Sequence, residues 1–164
     1  EISSYHLIKQ EEAHFVKNTI ELENAKTDYK FLRPGLLIPI LRTFADNKDA
    51  EYPQKIFEIG KIFSRENIGV IKESLSLMVA QTPGNFTQLK QVLDYFSRMI
   101  EVTFTLKEIN LPDFIEGRVA QILVKDTEIG YIGEVHPQTL REWNLKMSCS
   151  VFEINLDKLF VYIR

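Results

Sequence analysis

Two apolar runs, KIFEIGKIF at 55–63 and ESLSLMVAQ at 73–81, flank a short polar stretch with a glycine between Asn67 and Val70. Runs of this kind joined by a glycine-containing turn predict an antiparallel hairpin. A hairpin needs further strands beside it and helices on its faces, and the rest of the chain has the pattern to supply them. SYHLI at 4–8 and TIELE at 19–23 read as strands, and NAKTDYK at 24–30 reads as a loop. After Arg33-Pro34-Gly35, the residues Leu37, Ile40, Leu41 and Phe44 fall at helical spacing. Pro39 is acceptable only near a first turn, which puts the helix start at about that residue; the pattern fades through ADNKDA at 45–50.

TPGN at 82–85 ends the second hairpin strand. Asn85 with Gln88 has the form of a capping box, and Phe86, Leu89, Val92, Leu93, Phe96 and Ile100 line one apolar helical face. VTFTLKEI at 102–109, RVAQILVKD at 118–126, EIGYIGEV at 128–135 and SVFEINL at 150–156 read as strands, with HPQTLREW at 136–143 a short helix between the last two. The sum is an α+β plan, a mainly antiparallel sheet flanked by helices, in a single domain over 1–164.

Composition narrows the function classes. The 164 residues are 45% apolar, enough for one core. Their longest apolar stretches, such as LLIPIL at 36–41, fall far short of the roughly 20 residues that cross a bilayer. No basic-then-apolar signal segment opens the chain, so the expectation is a soluble, cytoplasmic protein with no membrane partner. With 20 basic against 23 acidic residues the net charge is −3, and no global electrostatic drive toward nucleic acid exists. Cys149 has no second cysteine to pair with and reads as a small packing residue. A chain that starts at Glu1 and ends on FVYIR is expected to be a piece of a longer polypeptide.

Three glutamates interrupt apolar strands: Glu58 in IFEIG, Glu134 in IGEVHP and Glu153 in VFEIN. Buried carboxylates are costly unless paired, so a cluster of them is a candidate metal or acid–base site. The simpler reading is that each faces solvent or pairs with Arg33, Arg118 or Lys55. His6, His14 and His136 are scattered, no Gly-x-Ser-x-Gly is present, and no phosphate-cradling GxxxxGK[ST] or GxGxxG occurs. On motifs alone, no catalytic, cofactor-binding or metal-binding residue is assigned.

The order of segments is more specific than any one of them. LRPGLLIPIL at 32–41, YPQKIFEIGKIF at 52–63, FTQLKQVLDYF at 86–96, PDFIEGRVAQI at 112–122, IGYIGEVHPQTL at 129–140 and VFEINLDKL at 151–159 together resemble the catalytic-like core of the phenylalanyl-tRNA synthetase β subunit, of the archaeal and eukaryotic type. A departure lies at Glu23-Asn24-Ala25, where that family often has Asn-Pro. The resemblance implies a class II aminoacyl-tRNA synthetase-like fold in a subunit that partners a catalytic α subunit in an α2β2 heterotetramer. It implies that the complex acts on tRNA with ATP and magnesium, while this domain holds no cofactor. The family's editing and magnesium-binding modules are not evident here.

The resemblance also gives FSRE at 63–66 a meaning. Active class II enzymes carry Phe-Arg-x-Glu at a strand end, where the arginine grips the ATP α-phosphate. Aligned on Phe63 and Glu66, this chain has Ser64 at that position and its arginine one residue late. Alternation along a strand then points Arg65 to the other face unless a bulge intervenes. The second class II feature, a glycine-rich segment ending in an ATP-gripping arginine, is missing from FEINLDKLF, and Arg164 is a poor substitute. The expectation is a non-catalytic association domain; the alternative is a small metal-dependent enzyme using the strand glutamates. Three further expectations follow: Arg33 pairs with Glu58, the aromatic Phe57, Phe86 and Phe96 are core, and the region from Leu36 to Phe44 with the YPQKIF strand presents an apolar surface to partner subunits.

Overall fold

The computed structural model describes residues 1–15, 19–67 and 69–163. The hairpin consists of strands β4 (Gln54–Asn67) and β5 (Val70–Thr82), in continuous antiparallel register from Gln54 opposite Thr82 to Arg65 opposite Ile71. Gly69, at φ +84°, supplies the left-handed turn residue, which an L side chain adopts only with strain. Four more strands complete a six-stranded antiparallel sheet in the order β4-β5-β9-β8-β7-β6: β6 (Thr105–Glu108), β7 (Phe114–Val124), β8 (Thr127–Val135) and β9 (Ser150–Asn155). A smaller sheet, β1-β3-β2, is made of Leu7–Lys9, Tyr29–Leu32 and Ile20–Glu21. Among the described residues no helix is long and apolar enough to cross a membrane.

Helix α1 (Leu37–Asp46) packs on one sheet face and α2 (Phe86–Met99) on the other, each with its own core. Under α1, Leu36, Ile40, Leu41 and Phe44 meet Met78, Ala80 and Val151. Under α2, Leu89 and Leu93 meet Leu77, Ile132, Phe152 and Ile154. Each such fully buried side chain contributes about 1.5–3 kcal/mol of transfer free energy. Short helices α3 (Pro137–Glu142) and α4 (Leu156–Phe160) follow β8 and β9.

Four sequence expectations need correction. NAKTDYK is not a loop throughout, because Tyr29 and Lys30 open β3 between β1 and β2. Helix α1 begins at Leu37, two residues ahead of Pro39, which the first turn tolerates because a backbone N–H at that position would have no intrahelical acceptor, so its absence in proline costs no hydrogen bond. The Leu36–Phe44 region is not an outward surface: Leu36, Ile38, Ile40, Leu41 and Phe44 are all buried. Phe57 and Val92, assigned to apolar faces, are exposed, because among the described residues no layer covers the Phe57 face of β4 or the outer side of α2. The Asn85 cap is as expected, its side chain accepting from Gln88 N. Asn24, in the departure from the family's Asn-Pro, takes a left-handed turn at φ 58°.

Candidate functional site

Register decides which of the singled-out residues share a face. Glu58 lies opposite Met78, Met78 opposite Glu153, and Glu153 opposite Tyr131, so these four form one cross-strand row beneath α1. Glu134 lies opposite Ser150, three residues from Glu153, and strand alternation places it on the α2 face. The three strand glutamates therefore do not converge. Among the described residues no group of three His, Cys, Asp or Glu side chains is placed to hold a metal ion.

Each glutamate is buried and each is engaged, so the solvent-facing reading fails for all three and the pairing reading holds for two. Glu58 meets Arg33 at 2.8 Å, both about 1–2% exposed. The Arg33 guanidinium is otherwise spent on Lys61 O, Ser4 Oγ and Tyr5 O, and Ser4 also donates to Glu58. Gly60 makes room for this: a Cβ there would collide with the guanidinium. Glu134 receives Arg118 at 2.8 Å and the backbone N–H of Phe86, the first residue of α2, at 2.7 Å. Among the described residues Glu153 has no cationic hydrogen-bond partner. It accepts from Leu36 N at 3.0 Å, Ser76 Oγ at 2.9 Å and Tyr131 Oη at 3.0 Å.

Electrostatics follow burial. Desolvation raises the Glu153 carboxyl above its ordinary range, against the opposing pull of its three donors and of the Arg33 charge. Burial, and then the neighbouring Glu153 charge, push the Tyr131 phenol well up. Burial alone pushes the Cys149 thiol up to about 12, which leaves it an inert packing residue, as expected. Beside Glu153 a recess of about 290 Å³ is lined by Pro34, Gly35, Leu37, Phe114 and Tyr131 among others. Among the described residues that line it there is no serine, threonine, cysteine, lysine or histidine.

The FSRE segment sits at the distal part of β4. Ser64 pairs with Lys72 and Arg65 with Ile71 without a register break between them; the shift comes only after Arg65. Ser64 thus shares the α1 face with Glu58, and Arg65 belongs to the opposite face. Glu66 is exposed and bonded to Lys72 at 2.7 Å. Arg164 lies outside the described residues, as does Ile68 in the hairpin turn. His6 lies against Phe63, His14 against Phe15, and His136 caps α3 by accepting from Gln138 N, so the histidines are as scattered as the sequence indicates. Sequence reasoning missed Ser4 and Tyr131, whose roles depend on contacts 54 and 22 residues away along the chain.

Residues 1–156 match the family model described as the phenylalanyl tRNA synthetase beta chain CLM domain. A phenylalanine–tRNA ligase beta subunit of Thermococcus gammatolerans is 37% identical over 146 residues, 86% of this chain and 26% of that protein. The beta subunit of Thermococcus sibiricus is 34% identical over 98% of this chain and 30% of that protein. The chain thus spans under a third of the length of these relatives. Among solved structures, a pyrrolysyl-tRNA synthetase from Desulfitobacterium hafniense superposes with a TM-score of 0.79 at 13% identity, over 98% of this chain and 62% of that one. That likeness is one of fold, and it makes the antiparallel sheet with its helices a class II synthetase fold. On the extent of the family match and of these relatives, the chain belongs to the phenylalanyl-tRNA synthetase beta chain CLM domain family.

Proposed function

We propose that this chain is a non-catalytic, class II synthetase-like domain of a phenylalanine–tRNA ligase β subunit, serving association with a catalytic α subunit in an α2β2 complex of the cytoplasm. In this reading tRNA, ATP and magnesium are handled by the complex, and the activating site lies on the partner. The observation that carries it is the α1 face of β4. Ser64 occupies the place of a phosphate-gripping arginine, and Arg65 is turned to the other face by unbroken register. The same face is filled by the Arg33–Glu58 pair and by the buried acid Glu153. The residues present do not fit ATP there. Missing clamps of this kind remove about 3–4 kcal/mol of transition-state stabilisation each.

Phenylalanine-dependent ATP–pyrophosphate exchange tests the reading. The polypeptide without its partner gives exchange at the level of a no-protein blank, and it co-purifies with the α subunit. Exchange above that blank, abolished by Arg65→Ala, overturns the non-catalytic assignment; failure to co-purify overturns the association.

A further inference from the structure

Strand β4 runs along the edge of the large sheet for 14 residues, and its two faces are covered very differently. One lies under Arg33 and the N-terminal segment. The other carries Lys55, Phe57, Ile59, Lys61, Phe63 and Arg65 in strict alternation. Helix α2 packs on β8 and β9, and α4 on β5, β8 and β9. Phe57 and Ile59 remain 39% and 50% exposed. The same face continues on β5 with Ile71, 51% exposed, and the half-buried Leu75 and Val79. Scattered exposed apolar residues are ordinary, but here Phe57 stands opposite Val79 and Ile59 opposite Leu77, with Leu75 next along β5 opposite Lys61; Ile71, opposite Arg65, is set apart from them by Glu73. A contiguous apolar face of this kind marks an interaction surface.

Charge says what covers it. Lys55 and Arg65 make no ion pair among the described residues and stand at the two ends of the apolar row; Lys61 lies between them, paired with Glu73 at 2.7 Å. Of the acids bordering the face, Glu73 is paired with Lys61, while Asp157 accepts the N–H of Leu75 and keeps its charge. Three bases, Lys55, Lys61 and Arg65, thus stand against these two acids, and the balance on this face is positive. Single-stranded RNA is the other anionic candidate, but it needs aromatic platforms for its bases. Here aliphatic Ile59, Ile71, Leu75 and Val79 dominate, and Phe63 is turned against His6.

We infer that this face of β4 and β5 is where the partner synthetase subunit docks, through an apolar surface of that subunit rimmed by acidic side chains. The inference rests on the association proposed above. Apolar burial at the centre supplies affinity, and Lys55 and Arg65 supply orientation and association rate.

The test uses the full-length polypeptide that carries this chain, with its α subunit, and reads Kd by titration. The paired substitution Phe57→Glu with Ile59→Glu is the main variant: exposed strand positions beside Lys55 and Lys61 accept carboxylates without unfolding, checked by thermal melting. It is expected to weaken binding at least 10-fold. Lys55→Glu with Arg65→Glu slows association and flattens its salt dependence, and Tyr95→Ser on the outer side of α2 changes neither. Wild-type binding that the Phe57/Ile59 variant leaves within twofold overturns this surface and leaves the association standing. Absence of wild-type binding removes both. Loss of tRNA binding by the same variant, with α-subunit affinity intact, assigns the face to RNA and overturns the inference.

Discussion

Glu153 is an acid in the least hospitable place for one, a central strand facing a helix. Its charge is tolerated because Leu36 N, Ser76 Oγ and Tyr131 Oη all donate to it. The three donors are not equally dependent on it. Ser76 has a second acceptor in Ile154 O at 3.2 Å, whereas among the described residues the buried Leu36 N–H has Glu153 alone, so Glu153→Ala is expected to cost about 2–3 kcal/mol, read by urea unfolding. The pH dependence has a definite sign. Burial raises the native carboxyl above its ordinary value of 4.5, so between that value and the raised one the native state binds more protons than the unfolded chain. Stability from this group therefore falls as pH rises through that window. Glu153→Gln, neutral at every pH, is expected to remove that part of the slope, and unfolding curves from about pH 4.5 upward check it. An unchanged slope means that another carboxyl carries it.

At the scale of elements, the strand glutamates are clamps between sheet and helices. Glu153 takes the N–H at the start of α1 on one face, and Glu134 takes the first N–H of α2 on the other. A carboxylate at a helix N-terminus also meets the positive end of the macrodipole, and the sheet supplies it here where the first turns have no acidic residue of their own. Glu134→Ala is accordingly expected to cost about 1–2 kcal/mol, with loss concentrated in α2 as hydrogen exchange of its first turn reports. Arg118→Ala, whose side chain is 59% exposed, is expected to cost less than about 1 kcal/mol. The hairpin and α2 were legible in the sequence because period and caps are local signals. Tyr29 and Lys30 looked like loop because β3 is held by β1 and β2, not by its own pattern. The burial of Leu36 to Phe44 and the exposure of Phe57 were illegible for the same reason: an apolar phase states which side chains agree with one another, and not which side has a layer to cover it. The glutamates gave a carboxylate count, while their separation onto two faces depended on register across β8 and β9.

On the scale of the whole molecule, the departure at FSRE and the packing of the α1 face have to be weighed together. A misplaced arginine is a local defect, and moving it back is a two-residue change. The swap Ser64→Arg with Arg65→Ser puts the guanidinium on the α1 face of β4, since register is continuous through both positions. If loss of the clamp were the whole story, that swap would restore phosphate binding. The face beneath it, however, is occupied by Arg33, locked by four acceptors and seated over Gly60, and farther along by the buried Glu153. Opening it means breaking a buried ion pair, which costs about 3–5 kcal/mol when one partner is lost. Phosphate contacts at a single arginine do not offset that. The swapped polypeptide is therefore expected to bind no ATP at millimolar concentration by calorimetry and to give no pyrophosphate exchange. ATP binding gained by the swap alone would show that the face is more open than its packing indicates, and that the arginine was the one thing missing.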